Sequence, residues 1–251
     1  MHPVAHPLFS LGIIIVAAGR GERLGAAKPK AFIEIAGASL LQHCATTVNT
    51  LKVSGQPAHG QLVLVVPEGQ APAAFDVAES LDRDRWQVTV VTGGRDRHES
   101  VRKGLGALGP SIDTVLVHDA ARPLTPADVF ERVVTAVHET GVGAVPGIRI
   151  VDSLKRVDAD GTVIRSEDRD SLIRAQTPQG FSRRVLEEAH HSAALLASHP
   201  EVLTATDDAA VVQHFGGRVR WVEGSPLAHK VTEPDDVLLL AAMRTVSEQS
   251  S

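Results

Sequence analysis

Short runs of apolar, mostly β-branched residues recur at Gly12–Val16, Gln61–Val66, Trp86–Val91, Thr114–Val117 and Gly143–Val145, and segments of helical period separate them. Strands joined through helices are not hairpin neighbours; they pair in parallel, and a parallel sheet needs helices on both faces. The expectation is an α/β, Rossmann-like fold with a mostly parallel central sheet. The chain has 251 residues, 43% of them hydrophobic, so it reads as one large domain spanning 1–251 with apolar residues enough for a core. Such sheets bind ligands at the carboxyl ends of their strands, and the loops there should carry the chemistry.

Ser39 with Gln42 has the form of a capping box opening a helix whose apolar stripe is Leu40, Leu41, Cys44 and Val48. Val101, Leu105 and Leu108 mark a second helix, and Val129, Val133 and Val137 a third. Helical patterns return at Arg183–Ala197 and Asp207–His214, and a strand follows at Arg218–Val222. The last helix starts at Thr232-Glu-Pro-Asp235, with Thr232 as N-cap and Pro234 in the first turn. Beyond Val246 the tail is expected to fray. One segment breaks the rhythm: from about 148 to 174, two strand-like runs flank Asp158-Ala-Asp-Gly161, a β-hairpin signal. It reads as an arm projecting from the sheet.

The formal net charge of −5 argues against nucleic acid or an anionic membrane as partner, so any phosphate site must be a local basic cluster. The single Cys44 fits a reducing compartment. Met1–Ser10 lacks the basic start of a signal peptide, and Leu11–Ala18 is far too short to span a bilayer, so the expected location is cytoplasmic.

After the first apolar run comes Ala17-Ala-Gly-Arg-Gly-Glu-Arg-Leu-Gly-Ala-Ala-Lys-Pro-Lys30. Gly19, Gly21 and Gly25 let backbone N–H groups approach a polyphosphate, and Arg23, Lys28 and Lys30 add charge. A dinucleotide fingerprint fails, because the position for its third glycine holds Leu24, and no Gly-Lys-Ser/Thr of a P-loop occurs. At the fourth strand's end, in Val117-His-Asp-Ala-Ala-Arg-Pro123, Asp119 stands where a Mg²⁺ ligand would sit; His118 is given no catalytic role. In Gly93-Gly-Arg-Asp-Arg-His-Glu-Ser100 the glycines permit close approach of a flat base, and Ser100 can hydrogen-bond it. Lys155 and Arg156 lie on the arm, Arg169 in Glu167-Asp-Arg-Asp170, and Lys230 in His229-Lys-Val-Thr-Glu-Pro-Asp.

In order, these motifs, with Asp152-Ser-Leu-Lys-Arg156, Thr177-Pro-Gln-x-Phe181 and Thr206-Asp-Asp208, resemble the 2-C-methyl-D-erythritol 4-phosphate cytidylyltransferases from about Ile13 to Leu240. The resemblance implies transfer of CMP from CTP to methylerythritol phosphate in the non-mevalonate isoprenoid pathway, with Mg²⁺ or another divalent cation, by a homodimer joined through the arm. It makes Arg23 and Lys30 transition-state stabilisers and adds Arg169 and Lys230 to the catalytic set. Ala17, Ala18, Gly19, Gly21, Gly94, Ser100, Asp119 and Ala120 resemble nucleotide contacts, with Asp119 also holding the metal. Arg122, Ser153, Arg169 and Thr177 resemble substrate contacts, Arg122 and Ser153 being lent to the partner's pocket. Ser153 stands where Thr is common, and Ala228-His229 replaces a common Asn-Ile. A phosphate nucleophile is already anionic, which accounts for motifs rich in Lys, Arg and Gly without paired acids or a catalytic His. The rivals are a cytidylyltransferase for another polyol phosphate, such as ribitol 5-phosphate, and a non-catalytic nucleotide-sensing module.

Overall fold

A computed structural model describes residues 11–19, 21, 28–196 and 205–249; Arg23, Leu24 and Gly25 lie outside the described residues. The chain runs β1 (Leu11–Val16), a 3-10 turn (Lys30–Phe32), a small hairpin β2 (Glu34–Ile35) and β3 (Ala38–Ser39), then α1 (Leu40–Thr50). A second small hairpin, β4 (Lys52–Val53) with β5 (Gln56–Pro57), leads to β6 (Gly60–Val66), α2 (Ala71–Glu79), β7 (Trp86–Thr92) and α3 (Arg97–Gly106). Then come β8 (Thr114–Asp119), α4 (Ala127–Thr140), β9 (Gly143–Arg149), β10 (Lys155–Val157), β11 (Val163–Ser166), β12 (Ile173–Ala175) and β13 (Gln179–Ser182). The chain continues through α5 (Arg183–Leu195), α6 (Asp208–His214), β14 (Val219–Glu223) and α7 (Pro234–Gln249).

The main sheet has eight strands, in the order β7-β6-β1-β8-β13-β9-β12, with β14 also paired to β9. Strands β7, β6, β1 and β8 are parallel, as the periodicity implies; Ile14 lies opposite both Val63 and Val117. Being covered on both faces, β1 is a continuous apolar run, buried from Leu11 to Ile15. One face packs Leu41, Val77, Phe130 and Val133; the other packs Val101, Leu105, Leu186 and Val211. The expected strands all form; those of the first five runs are longer by one to four residues, and the one expected at Arg218–Val222 is shifted by one to Val219–Glu223. What periodicity does not indicate is β13, a short strand inserted antiparallel to β8, with Gln179 opposite Val117. Being antiparallel, it makes the sheet mixed beyond β8.

Local signals hold in part. Ser39 Oγ accepts from Gln42 N at 3.1 Å, but the Gln42 amide donates to Ser80 Oγ at 2.8 Å, so only half of a capping box forms. The N-cap role expected of Thr232 passes to a carboxylate: Asp236 Oδ2 accepts from Thr232 N at 2.6 Å, Thr232 Oγ1 at 2.7 Å and Glu233 N at 2.8 Å. An ionised acceptor at a helix start satisfies more orphan donors than one hydroxyl can. The expected fraying beyond Val246 is also corrected, since α7 continues to Gln249.

The arm forms where expected. Its base is the pairing of Arg149 with Ile173, and its outer part pairs Lys155 with Ser166 and Arg156 with Arg165. Asp158 Oδ1 closes the turn by accepting from Asp160 N at 3.0 Å and Thr162 N at 2.8 Å, and Gly161 takes φ +82°. Val151, Val157, Val163 and Ile164 on it are exposed. No helix among the described residues is long and apolar enough to cross a membrane.

Candidate active site

Three strand ends meet at one cavity of about 610 Å³, as expected for a parallel sheet. Ala17, Ala18, Gly19 and Gly21 line it from β1; Gly94 and Ser100 from β7 and α3; Asp119 and Ala120 from β8. Lys30 and Lys230 complete the wall, so every expected nucleotide-binding residue and two of the four expected catalytic residues are brought together. Gly21 at φ +67° turns the loop onto the 3-10 turn; a Cβ there would sit 2.8 Å from that of Lys30. This close approach is what brings the Lys30 backbone against the β1 loop.

At β7, Gly93 N donates to Val66 O at 2.8 Å, and Asp96 caps α3 by accepting from Glu99 N at 2.7 Å. Ser100 was expected to bond a base. Its hydroxyl accepts from Gly94 N at 3.0 Å and donates to Asp96 O at 2.8 Å, which also accepts from Ser100 N at 3.1 Å. Ser100 therefore shapes the wall that it lines.

Asp119 ends β8 and is gripped at three points. Its N–H donates to Thr177 Oγ1 at 3.1 Å; Oδ2 pairs with Lys230 Nζ at 2.7 Å; Oδ1 accepts from Arg97 Nε at 3.2 Å and Nη2 at 3.1 Å. Burial alone would raise this carboxyl, but Arg97, Lys230 and Arg122 outweigh it and hold Asp119 well below the usual carboxylate range. The site thus presents an anion fully ionised at neutral pH among cations. Among the described residues no three His, Cys, Asp or Glu cluster as a metal cage. One carboxylate still suits Mg²⁺ that arrives on a polyphosphate, provided Lys230 yields Oδ2.

Four other expected residues, Thr177, Arg122, Ser153 and Arg169, do not line this cavity. Thr177 was read as a substrate contact; it is buried, and its hydroxyl is used between Asp119 N and His118 Nδ1, at 3.1 and 3.0 Å. The insertion of β13 beside β8 is what carries Thr177 inward. Arg122 was expected to serve the partner's pocket. Its Nη1 donates to Ala228 O at 2.6 Å and Nη2 to Ala175 O at 3.3 Å, which ties it beside Asp119 and the Lys230 loop of its own chain. Ser153 and Arg169 stay exposed on the arm and line a second cavity of about 270 Å³ that shares no residue with the first. Arg169 Nη1 there donates to Val151 O. His118 is neutral: burial pushes it down to about 4. His229 donates from Nε2 to Asp236 Oδ1 at 2.7 Å, so the unusual Ala-His pair fastens the Lys230 loop to α7.

One functional residue was missed. Arg97 lies in the cavity wall and bridges Asp119 to Asp208, whose Oδ2 is 2.8 Å from Arg97 Nη1. The signal was present: Arg97 is the first residue of α3, where the helix dipole disfavours a cation. A cation there needs an acidic partner to justify it.

Order, geometry and sequence likeness agree. A family model, IspD: 2-C-methyl-D-erythritol 4-phosphate cytidylyltransferase, matches residues 11–245. The chain belongs to this family. A bifunctional enzyme IspD/IspF of Clavibacter michiganensis is 46% identical over 90% of the chain, which spans 52% of that relative's length. A 2-C-methyl-D-erythritol 4-phosphate cytidylyltransferase of Frankia casuarinae is 40% identical over 96% of the chain and 83% of its own. Among solved structures, the enzyme of that name from Thermus thermophilus superposes with a TM-score of 0.71 at 30% identity, covering 94% of this chain and 98% of its own. A 4-diphosphocytidyl-2C-methyl-D-erythritol synthase from Anaerococcus prevotii reaches 0.79 at 25% identity, covering 94% and 96%. The α/β Rossmann-like architecture is common to the family's structures.

Proposed function

We propose that this chain transfers CMP from CTP to 2-C-methyl-D-erythritol 4-phosphate, releasing pyrophosphate, as a step of the non-mevalonate isoprenoid pathway. The observation that carries the reading is the meeting of the β1 glycine loop, Lys30, Lys230 and ionised Asp119 in one cavity. The acceptor's phosphate oxygen attacks the α-phosphorus of CTP, and the bond to the pyrophosphate oxygen breaks. No general base is needed, and the catalytic problem is to hold anions together. The β1 loop's backbone N–H groups and Lys30 hold the triphosphate, with Arg23 of the same loop assisting. Asp119 orients the nucleotide and would hold a divalent cation, which would screen the phosphate charge when bound. Lys230, released from Oδ2, turns to the acceptor, with Arg122 of the same chain nearby. The whole chain acts as one nucleotidyltransferase domain in the cytoplasm, without nucleic-acid or membrane partners. Its arm joins a homodimer and offers Ser153 and Arg169 to the partner's acceptor.

Pyrophosphate release with a panel of nucleotides and polyol phosphates tests this. CTP with methylerythritol phosphate should exceed ATP and ribitol 5-phosphate; equal turnover with ATP would sink the nucleotide assignment. Lys30→Ala should lower kcat on the order of 10²-fold with a smaller change in KM, since the charge it meets is greatest in the transition state. Lys155→Ala, on the arm, should do much less.

A further inference from the structure

The contacts that hold Asp119 differ in permanence. Lys230 is partly exposed, with 41% of its side chain accessible, whereas Arg97, within the cavity wall, retains 23%. Behind Arg97 lies Asp208 with no exposed surface, and Asp208 Oδ1 is 2.9 Å from Nε2 of buried His190. The His190 ring tilts against His98 at 5.8 Å. A connected row, Asp119–Arg97–Asp208–His190, thus runs from the cavity into the core.

The far end of that row is fixed in place. Asp207 Oδ1 caps α6 by accepting from Ala210 N at 2.9 Å. Gln179 of β13 accepts from Ala209 N at 2.9 Å and donates to Asp207 Oδ2 at 2.8 Å. A fully buried carboxylate carries a large desolvation cost, so a buried ion pair is weak evidence of a stabilising role. Stability is therefore a poor reason for Asp208, and among the described residues it is linked to the cavity through Arg97.

We propose that Asp208 is a positioning residue: through Arg97 it fixes Oδ1 of Asp119, so that Oδ2 alone exchanges between Lys230 and the cation-bearing nucleotide. The proposal rests on the reading of Asp119 as the carboxylate that meets CTP. Arg97 serves two carboxylates at once, and its guanidinium plane cannot turn without leaving one of them. Loosening Asp208 frees that plane and, with it, Asp119.

The test uses the full-length enzyme with kcat, KM for CTP, Mg²⁺ half-saturation, and the rise in melting temperature on adding CTP with Mg²⁺. Asp208→Asn keeps the shape and removes the charge. It should lower kcat on the order of 10- to 100-fold, raise the Mg²⁺ requirement and shrink the CTP-induced rise. Asp208→Glu keeps the charge in a site without spare room and should retain more kcat than Asn. A purely structural role predicts the reverse order, and that order would overturn the proposal. Arg97→Gln leaves two buried carboxylates short of a cation; adding Asp208→Asn should recover melting temperature without recovering kcat. Activity returning together with stability in the double variant would also overturn it, and that comparison stands even if Asp208→Asn fails to fold alone. Asp119→Asn separates the two levels. Full activity there removes the site reading itself; collapse there with Asp208→Asn unaffected removes only the positioning role.

Discussion

His118 shows what folding does to one ionisable side chain. Its Nε2 lies 3.3 Å from Arg122 O, which can only accept, so Nε2 carries the proton. Nδ1, 3.0 Å from Thr177 Oγ1, then accepts from the hydroxyl, which itself accepts from Asp119 N–H. Protonating Nδ1 would break this chain. Burial lowers the ring, Asp119 pulls it upward and Arg122 opposes that, which leaves it at about 4. An unfolded His titrates near 6.5, so between pH 6.5 and 4 the unfolded chain binds the extra proton. Stability should fall as pH drops through that window, by about 3 kcal/mol in full. His118→Gln should flatten the dependence of unfolding free energy on pH by close to one proton, measured by denaturant titration at each pH. An unchanged slope would place the sensitive group elsewhere. Asp119 and Asp208, both held low by Arg97 among other partners, add a further loss only as pH falls below the ordinary carboxylate value.

Between elements, the fit of the β1 and β7 ends sets the cavity floor. A Cβ on Gly93 would lie 2.3 Å from that of Ala18 and 3.1 Å from Ser100 Oγ. Gly19, by contrast, has nothing within 4 Å of such an atom, counting the described residues. Gly93→Ala should therefore force the two strand ends apart and destabilise by about 1–3 kcal/mol, the ordinary cost of overpacking. Gly19→Ala should keep the wild-type melting temperature and raise KM for CTP, because its methyl enters the space for phosphate. Thermal melts paired with CTP kinetics check both. Equal melting temperatures in the two variants would mean that the Gly93–Ala18 contact relaxes freely. The same logic of helix ends explains Arg97, whose unfavourable place at the start of α3 is offset by Asp119 and Asp208.

For the whole molecule, the residues expected at the site are divided between two cavities. Lys30, Asp119 and Lys230 share one, while Ser153 and Arg169 share the other, on the arm. The arm is a ribbon of three- and four-residue strands with Val151, Val157, Val163 and Ile164 exposed, and a two-stranded ribbon is marginal alone. A two-fold dimer would cover it and bring Arg169 to a partner's Lys30. Lys30→Ala and Arg169→Ala should then each be nearly inactive. Mixed in equal amounts and reassorted, they should recover about a quarter of wild-type activity, since half the dimers are mixed and each has one intact pocket. No recovery after verified subunit exchange would confine Arg169 to its own chain's site. Arg122 donates to Ala228 O and Ala175 O of its own chain, so Arg122→Ala should complement Arg169→Ala and not Lys30→Ala in the same experiment.

Local pattern was enough for the parallel strands β6, β1 and β8, the glycine loop after β1, the arm and the place of Asp119. Each follows from short-range pattern: β-branched runs between helical periods, glycines where backbone must approach, an acid at a strand's end. Who partners whom depends on how the elements pack. Thr177 and Ser100 carry hydroxyls that any motif would assign to a ligand, yet the insertion of β13 and the tightness of the β7 loop commit both to backbone N–H groups. Arg97 reads as a loop base until α6, more than a hundred residues later, sets Asp208 against it. Hydrogen-bond partnership falls off within a fraction of an ångström, and the distances between such residues are set by how the layers pack, which no local pattern encodes.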